Sequence, residues 1–425
     1  MRRMPPEILG EMFKAALDPD DMYHIPQLVI SICLVCKAWR DAAIGTPELW
    51  NKLQLSSKIR GRPICFTKVG TWFSRSGTLP RYLHLNIPRA CKIFGVHPAT
   101  CDMLTSGLNM SAARRPWDSL QSLDVTVTHN GYHESQRSYV DEVIPNLPLV
   151  TIFHLQEIGY DRYDPVPSRL PMLADFFNNI TDIHVGDWPL SWMKTLLPLC
   201  KNLYSLTLDY VAQVGDDVGD GPSQLIVLQH LHLFRIRSSA YLDEARVLPL
   251  LFRMPSLKEL EIEFESVGST EMCDHDELRA ELAQFLEASN ASPSHLQMSY
   301  ISITADGLRG LLSKIPSLTH LTFHDVTFDA AAFDFPAPLV SNAPDSLFLP
   351  CLEILECFRL PKEFSHATVC SYFARRIPLV SSSALKRLTM ELATGENPRR
   401  AATSMNTLRE AGADVLIYTR HARGY

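Results

Sequence analysis

The stretch GLRGLLSKIPSLTHLTF, Gly307 to Phe323, holds two kinds of apolar spacing separated by one proline. Leu308, Leu311, Leu312 and Ile315 fall at i, i+3, i+4 and i+7, the stripe of an amphipathic helix. Pro316 stops that helix, because it cannot donate the next backbone bond and pushes its predecessor toward extended geometry. Leu318, Leu321 and Phe323 follow, with Thr322 between the last two, a spacing that suits a strand with one face buried. The stretch reads as a helix, a corner and a strand.

The strand frame recurs: an apolar residue, two variable ones, an apolar residue, one variable, an apolar residue. It begins at Trp50, Pro80, Leu120, Val150, Ile180, Leu203, Leu228, Leu257, Pro293, Leu318, Leu352 and Leu385, so most intervals are roughly 30 residues. The residue between the last two apolar positions must face solvent if the strands share one sheet. Those residues are Gln54, His84, Asp124, His154, His184, Thr207, His232, Glu261, Gln297, Thr322, Glu356 and Thr389, and none is apolar in a chain that is 46% hydrophobic. Leu278, Leu282, Phe285 and Leu286 make a second helical stripe, and Pro148, Pro255 and Pro350 again sit just before strands.

Strand and helix alternating at this interval are the signature of a leucine-rich-repeat solenoid. The expected fold class is therefore α/β, an irregular solenoid with a parallel sheet on its concave face and helices on its convex face. Leu206, Leu231, Leu260 and Leu321 should point inward. DVLIYTR, Asp414 to Arg420, reads as a last strand or cap. The asparagine or cysteine that regular repeats carry after the strand is missing here, so irregular turns are expected.

Composition narrows the function. The 425 residues carry a net charge of -7, which disfavours the basic stripe that nonspecific nucleic-acid binding needs. The ten cysteines show no disulfide framework, and MRRMPPEILGEMF lacks the apolar region of a signal peptide. LVISICLVC, Leu28 to Cys36, is too short to span a bilayer. A cytoplasmic or nuclear protein with free thiols is expected, in which the sequons at Asn109, Asn179 and Asn290 go unused.

The N-terminal segment carries a further pattern: Pro-Pro-Glu-Ile-Leu at Pro5 to Leu9, Phe13, Val-Cys-x-x-Trp-Arg at Val35 to Arg40, and Pro-x-Leu-Trp at Pro47 to Trp50. From Met4 to Leu55 this resembles the F-box motif, with Met4 where leucine is usual and a longer link between Leu17 and Leu28. TWFSRSGTLPRYLHL, Thr71 to Leu85, looks like the first repeat of F-box proteins abundant in fungi. The resemblance implies a three-helix F-box over residues 1–50 and a leucine-rich-repeat-like solenoid with a C-terminal cap over 51–425. It also implies docking on the Skp adaptor of a cullin–RING ubiquitin ligase. The adaptor-binding residues would be Met4, Pro5, Ile8, Leu9, Phe13, Val35, Cys36 and Trp39. Trp50 would sit at the seam between the F-box and the first repeat.

No catalytic constellation is evident. Cys33-x-x-Cys36 has redox-like spacing but lies within a helix, and GDDVGDG at 215–221 lacks the lysine of a phosphate loop. Asp274 and Asp276 in CDHDEL suit a helix N-terminus. The chain is therefore read as no enzyme, with no cofactor and no metal of its own. The concave face offers His230, His232 and Phe234 beside Glu259, Glu261 and Glu263, followed by His295, His320 and His324. A target protein of basic character is expected to bind there, with a solvated face or a zinc site as alternatives. The leading expectation is a substrate-recognition adaptor of a Skp–cullin–F-box ligase, without nucleic acid or membrane. A repeat scaffold not engaged with a cullin is the alternative.

Overall fold

The computed structural model describes residues 4–17, 25–56, 66–88, 120–128, 149–158, 174–186, 190–209, 225–238, 251–264, 276–333, 348–359, 365–376, 385–392 and 402–419. They belong to two compact units, Met1–Leu203 and Tyr204–Tyr425. GDDVGDG and Cys273 to His275 lie outside the described residues; Asp276 opens a helix.

The first unit begins with helices α1 (Pro6–Ala15), α2 (Ile25–Val35) and α3 (Lys37–Ile44), then a short 3-10 turn at Pro47–Trp50. Strands β1 (Lys52–Ser56), β2 (Arg81–Pro88), β3 (Leu120–Thr128), β4 (Ile152–Ile158) and β5 (Asp182–Gly186) follow, with α4 (Phe66–Phe73) after β1. Each strand pairs in parallel with the next. The register places Leu53, Leu83, Leu123, Phe153 and Ile183 in one buried row, and Leu55, Leu85, Val125, Leu155 and Val185 in a second row on the same face. Phe176, on the helix Ala174–Asn179, meets Phe153 edge-on at 5.2 Å, so the helix covers that apolar face.

The second unit holds β6 (Ser205–Asp209), a small parallel pair β7 (Ile226–Val227) and β9 (Phe252–Arg253), then β8 (Leu233–Ser238) and β10 (Glu259–Phe264). Strands β11 (His295–Ser299), β12 (His320–His324), β13 (Ile354–Phe358), β14 (Arg387–Leu392) and β15 (Asp414–Thr419) complete it. The row β6-β8-β10-β11-β12-β13-β14-β15 is parallel throughout. Leu206, Phe234, Leu260, Leu296, Leu321, Leu355, Leu388 and Val415 stand side by side in the register, all buried. Burying each such side chain contributes about 1.5–3 kcal/mol before entropy is counted.

The opening stretch folds as read. Its helix spans Ala305–Ser313, with Thr304 as N-cap accepting a bond from the Gly307 amide at 3.0 Å, and Leu308, Leu311, Leu312 and Ile315 are buried. DVLIYTR supplies β15. One frame differs. The strand expected from Leu228 is β8, which starts at Leu233, and its inward residues are Phe234 and Ile236, following Leu231. Leu228, Leu231 and Phe234 are spaced by three, so the frames beginning at Leu228 and at Leu231 both satisfy the pattern.

The turns after three successive strands are also more regular than expected. Tyr300, Asp325 and Arg359 each follow the last residue of a strand with φ of 57°, 56° and 55°. The Tyr300 amide donates to the His324 carbonyl and the Asp325 amide to the Phe358 carbonyl, both at 2.9 Å. The left-handed bend thus stands in for the missing asparagine.

Candidate interaction surfaces

The three N-terminal helices enclose a small core. Leu9 and Phe13 from α1, Val29 and Ile32 from α2, and Ala42 and Ala43 from α3 are buried together with Leu49 and Trp50. Gly10 allows α1 to approach Thr46 closely, since a Cβ there would lie 2.6 Å from the Thr46 hydroxyl oxygen. Arg40 ties α3 back to α2 by donating from Nε to the Cys33 carbonyl at 3.1 Å. Trp50 donates from Nε1 to the Ala43 carbonyl at 2.7 Å and meets Trp72 of α4 edge-on at 4.7 Å. The Arg75 guanidinium lies 4.3 Å from the Trp50 ring centre. Trp50 therefore joins the helices to the start of the sheet.

Two of the expected docking residues are instead core. Leu9 and Phe13 point inward because α1 needs both to cover α3, and Trp39, half-buried, packs on Phe13 at 5.2 Å between ring centres. Met4, Ile8, Val35 and Cys36 are exposed, as is Pro5. The exposed apolar side chains include residues the motif reading left out. Met12 follows Ile8 on α1 at a step of four, the spacing of one helix face, and α2 exposes Ile30 and Leu34 in the same way. Ile8 is 50% exposed and Leu34 72%. The signal that could have found them was the surplus of apolar residues on α2, which is apolar around most of its circumference.

On the sheets, the row facing away from the core is mostly polar. In the first unit it runs Gln54, His84, Asp124, His154 and His184. Asp124 Oδ2 lies 2.9 Å from His84 Nδ1 and 3.1 Å from His154 Nδ1, and the rings of His154 and His184 stack at 4.0 Å. Burial alone raises the Asp124 carboxyl, but hydrogen bonds from His154 and His84 and their charges outweigh it, holding it at about 2. In the second unit the row runs Thr207, Arg235, Glu261, Gln297, Thr322, Glu356, Thr389 and Leu416.

The expected target patch is only partly assembled. His230 and His232 precede β8, where His232 Nδ1 donates to the His230 carbonyl at 2.7 Å and its ring stacks on Tyr204 at 4.7 Å. Phe234 is 0% exposed and packs against Phe252 and Phe285, so it is no surface anchor. The neighbours of the three glutamates are Leu233, Arg235 and Arg237. Arg235 Nε pairs with Glu261 at 2.5 Å and Arg237 Nε with Glu263 at 3.2 Å. Two of the three carboxylates are thus already neutralised by arginines that the misplaced frame hid. Glu259 is 3.9 Å from His295 Nδ1 and carries the least compensated charge.

His295 and His320 stack at 4.2 Å with ring planes 2° apart, and His320 Nε2 lies 3.3 Å from Glu356. Burial first, and the charge of His320 second, push the His295 imidazole down against the pull of Glu259 and its neighbours. His324 sits between Tyr300, at 5.5 Å, and Phe358, at 6.3 Å.

Burial pushes the thiols of Cys200 and Cys370 up to about 12 and raises Cys357 as well, which keeps them from acting as nucleophiles. Among the described residues no group of three or more His, Cys, Asp or Glu could hold a metal ion, and no helix is long and apolar enough to cross a membrane. Compared with known proteins, the chain matches no family model and no curated protein.

Proposed function

We propose that this chain is a substrate-recognition adaptor of a Skp–cullin–F-box ubiquitin ligase, with an F-box at its N-terminus and a leucine-rich-repeat solenoid behind it. The observation that carries the reading is the number of exposed apolar side chains on and beside α1 and α2. Met4, Ile8, Met12, Ile30, Leu34 and Val35 all stand in water on a small helical unit whose own core is already filled. Large apolar side chains gathered on a unit of that size suit a partner surface. The resemblance of Pro5 to Trp50 to the F-box motif supports a Skp adaptor as that partner, and the parallel, in-register strands that follow suit the repeat domain. In this reading the chain makes no covalent bond. It holds a target by the repeats while other subunits transfer ubiquitin.

The test uses purified full-length protein and a purified Skp adaptor in a calorimetric titration. Ile8→Asp together with Leu34→Asp, both at exposed positions, should weaken binding at least a hundredfold, about 2.7 kcal/mol, by placing charge against central apolar contacts. Leu9→Ala is unsuitable for this purpose, because a loss there would reflect a cavity in the core. Equal binding by a double variant with an unchanged circular dichroism spectrum would remove the adaptor reading.

A further inference from the structure

Three successive turns of the second unit hold residues ill-suited to their backbone. Tyr300, Asp325 and Arg359 all take positive φ, where glycine or asparagine would fit at less cost. An aspartate there is common enough, whereas a tyrosine and an arginine are not. The amides of Tyr300 and Asp325 bond to carbonyls at the end of the neighbouring strand, and any residue but proline would supply the same amide, so these bonds do not require the side chains.

The side chains share further properties. Asp325 and Arg359 are exposed, lie on neighbouring turns, and have no side-chain partner among the described residues, each other included. At the same strand ends, the rings of Tyr300, His324 and Phe358 follow one another, tilted by 67° and 48°, and each is partly exposed. The platform is held firmly. Beyond the first two turns the Thr327 amide donates to the Ile301 carbonyl at 2.8 Å and the Ile303 amide to the Thr327 carbonyl at 2.9 Å. A backbone held in this way, with rings packed on one another, loses less entropy on binding than a mobile loop would.

We propose that this rim, Tyr300, His324, Asp325, Phe358 and Arg359, seats an extended segment of a partner protein that presents a basic residue and, two positions away, an acidic one. The basic side chain lays its stem on the three rings and its charge beside Asp325, combining a cation–π contact with an ion pair. The acidic side chain meets Arg359 on the next turn. Adjacent strands lie about 4.8 Å apart, while side chains two apart on an extended segment lie roughly 6.6 Å apart on one side, a mismatch that the long arginine takes up. The inference rests on the reading of the chain as a target-binding adaptor, and it locates the contact at the strand ends instead of the glutamate row of β10.

The test is selection of a phage-displayed random heptapeptide library on the immobilised full-length protein. A consensus with a basic residue two positions from an acidic one is expected. The double variant Asp325→Arg, Arg359→Asp should select the opposite order of charges, and Phe358→Ala should weaken a selected peptide at least tenfold. Tyr300→Gly adds a readout that a merely structural role would not give: it should lose peptide binding while its melting temperature holds or rises, because the backbone bend is relieved. No enriched consensus, an unchanged consensus in the double variant, or a lower melting temperature for Tyr300→Gly would overturn the proposal. So would self-association abolished by the same substitutions, which would assign the rim to a second copy. Titration of the Skp adaptor against the same variants should be unaffected. Failure of adaptor binding by the unmodified protein would count against the ligase reading alone.

Discussion

Asp124 stands between two imidazoles on neighbouring strands, which hold its carboxyl down. Its carboxyl, ordinarily at 3.8, lies at about 2 in the folded chain. A depressed carboxyl stabilises the fold fully above its unfolded value, and that contribution is lost as pH falls through the folded value. Wild type should therefore exceed Asp124→Asn by at most about 2 kcal/mol at pH 5, the advantage fading between pH ~4 and ~2. Urea unfolding across that range checks it, and a difference that does not change with pH would remove the carboxylate's charge as its source. The residue pattern revealed that Asp124 faces away from the core, because its neighbours in the frame are apolar. The same frame set His84 and His154 at the equivalent positions of the flanking strands, and the structure adds that both rings turn Nδ1 toward one carboxylate oxygen. Glu261 and Glu263 differ, because their arginines became visible only once β8 was placed.

Single elements were legible where two signals agreed. The helix Ala305–Ser313 had an apolar stripe and a following proline, and its fold matches both. The frame at Leu228 had only apolar spacing, and spacing by three admits two registers. On α1, the motif identified important residues without saying which side each faced. Leu9 and Phe13 are needed by the core, and Ile8 and Met12 are left outside. Element ends give a cleaner prediction. Gly412 has φ of 92° between the helix Ala402–Glu410 and β15, and a methyl group added there would meet nothing within 4 Å. Gly412→Ala should cost about 1–2 kcal/mol from backbone strain alone, since no clash contributes. A melting temperature equal to wild type would show that the bend relaxes freely.

Across a whole unit, each strand of the row pairs only with the strand before and the strand after it, so stability is close to a sum of strand and interface contributions. Leu321→Ala, at a fully buried position on β12, should cost about 2–5 kcal/mol. Hydrogen exchange should report the loss most strongly in β11, β12 and β13 and progressively less in β8 and β15. A uniform loss of protection across all of these strands would mean that the unit unfolds as a single block. Parallel order at this scale was legible because the same frame repeated with helical stripes between. The division at Leu203 and Tyr204 was not, because the repeat pattern runs through it unchanged.

The pairing of Arg235 with Glu261 shows how such a face can change over time. The two side chains sit opposite each other in register, with the core rows on the other side of their strands. Exchanging them, arginine for glutamate and glutamate for arginine, keeps one ion pair, alters no buried volume and reverses the local sign presented to water. A lineage could therefore acquire a new binding preference by rewriting the outward residues rung by rung, while inheriting its foldability intact from the inward ones.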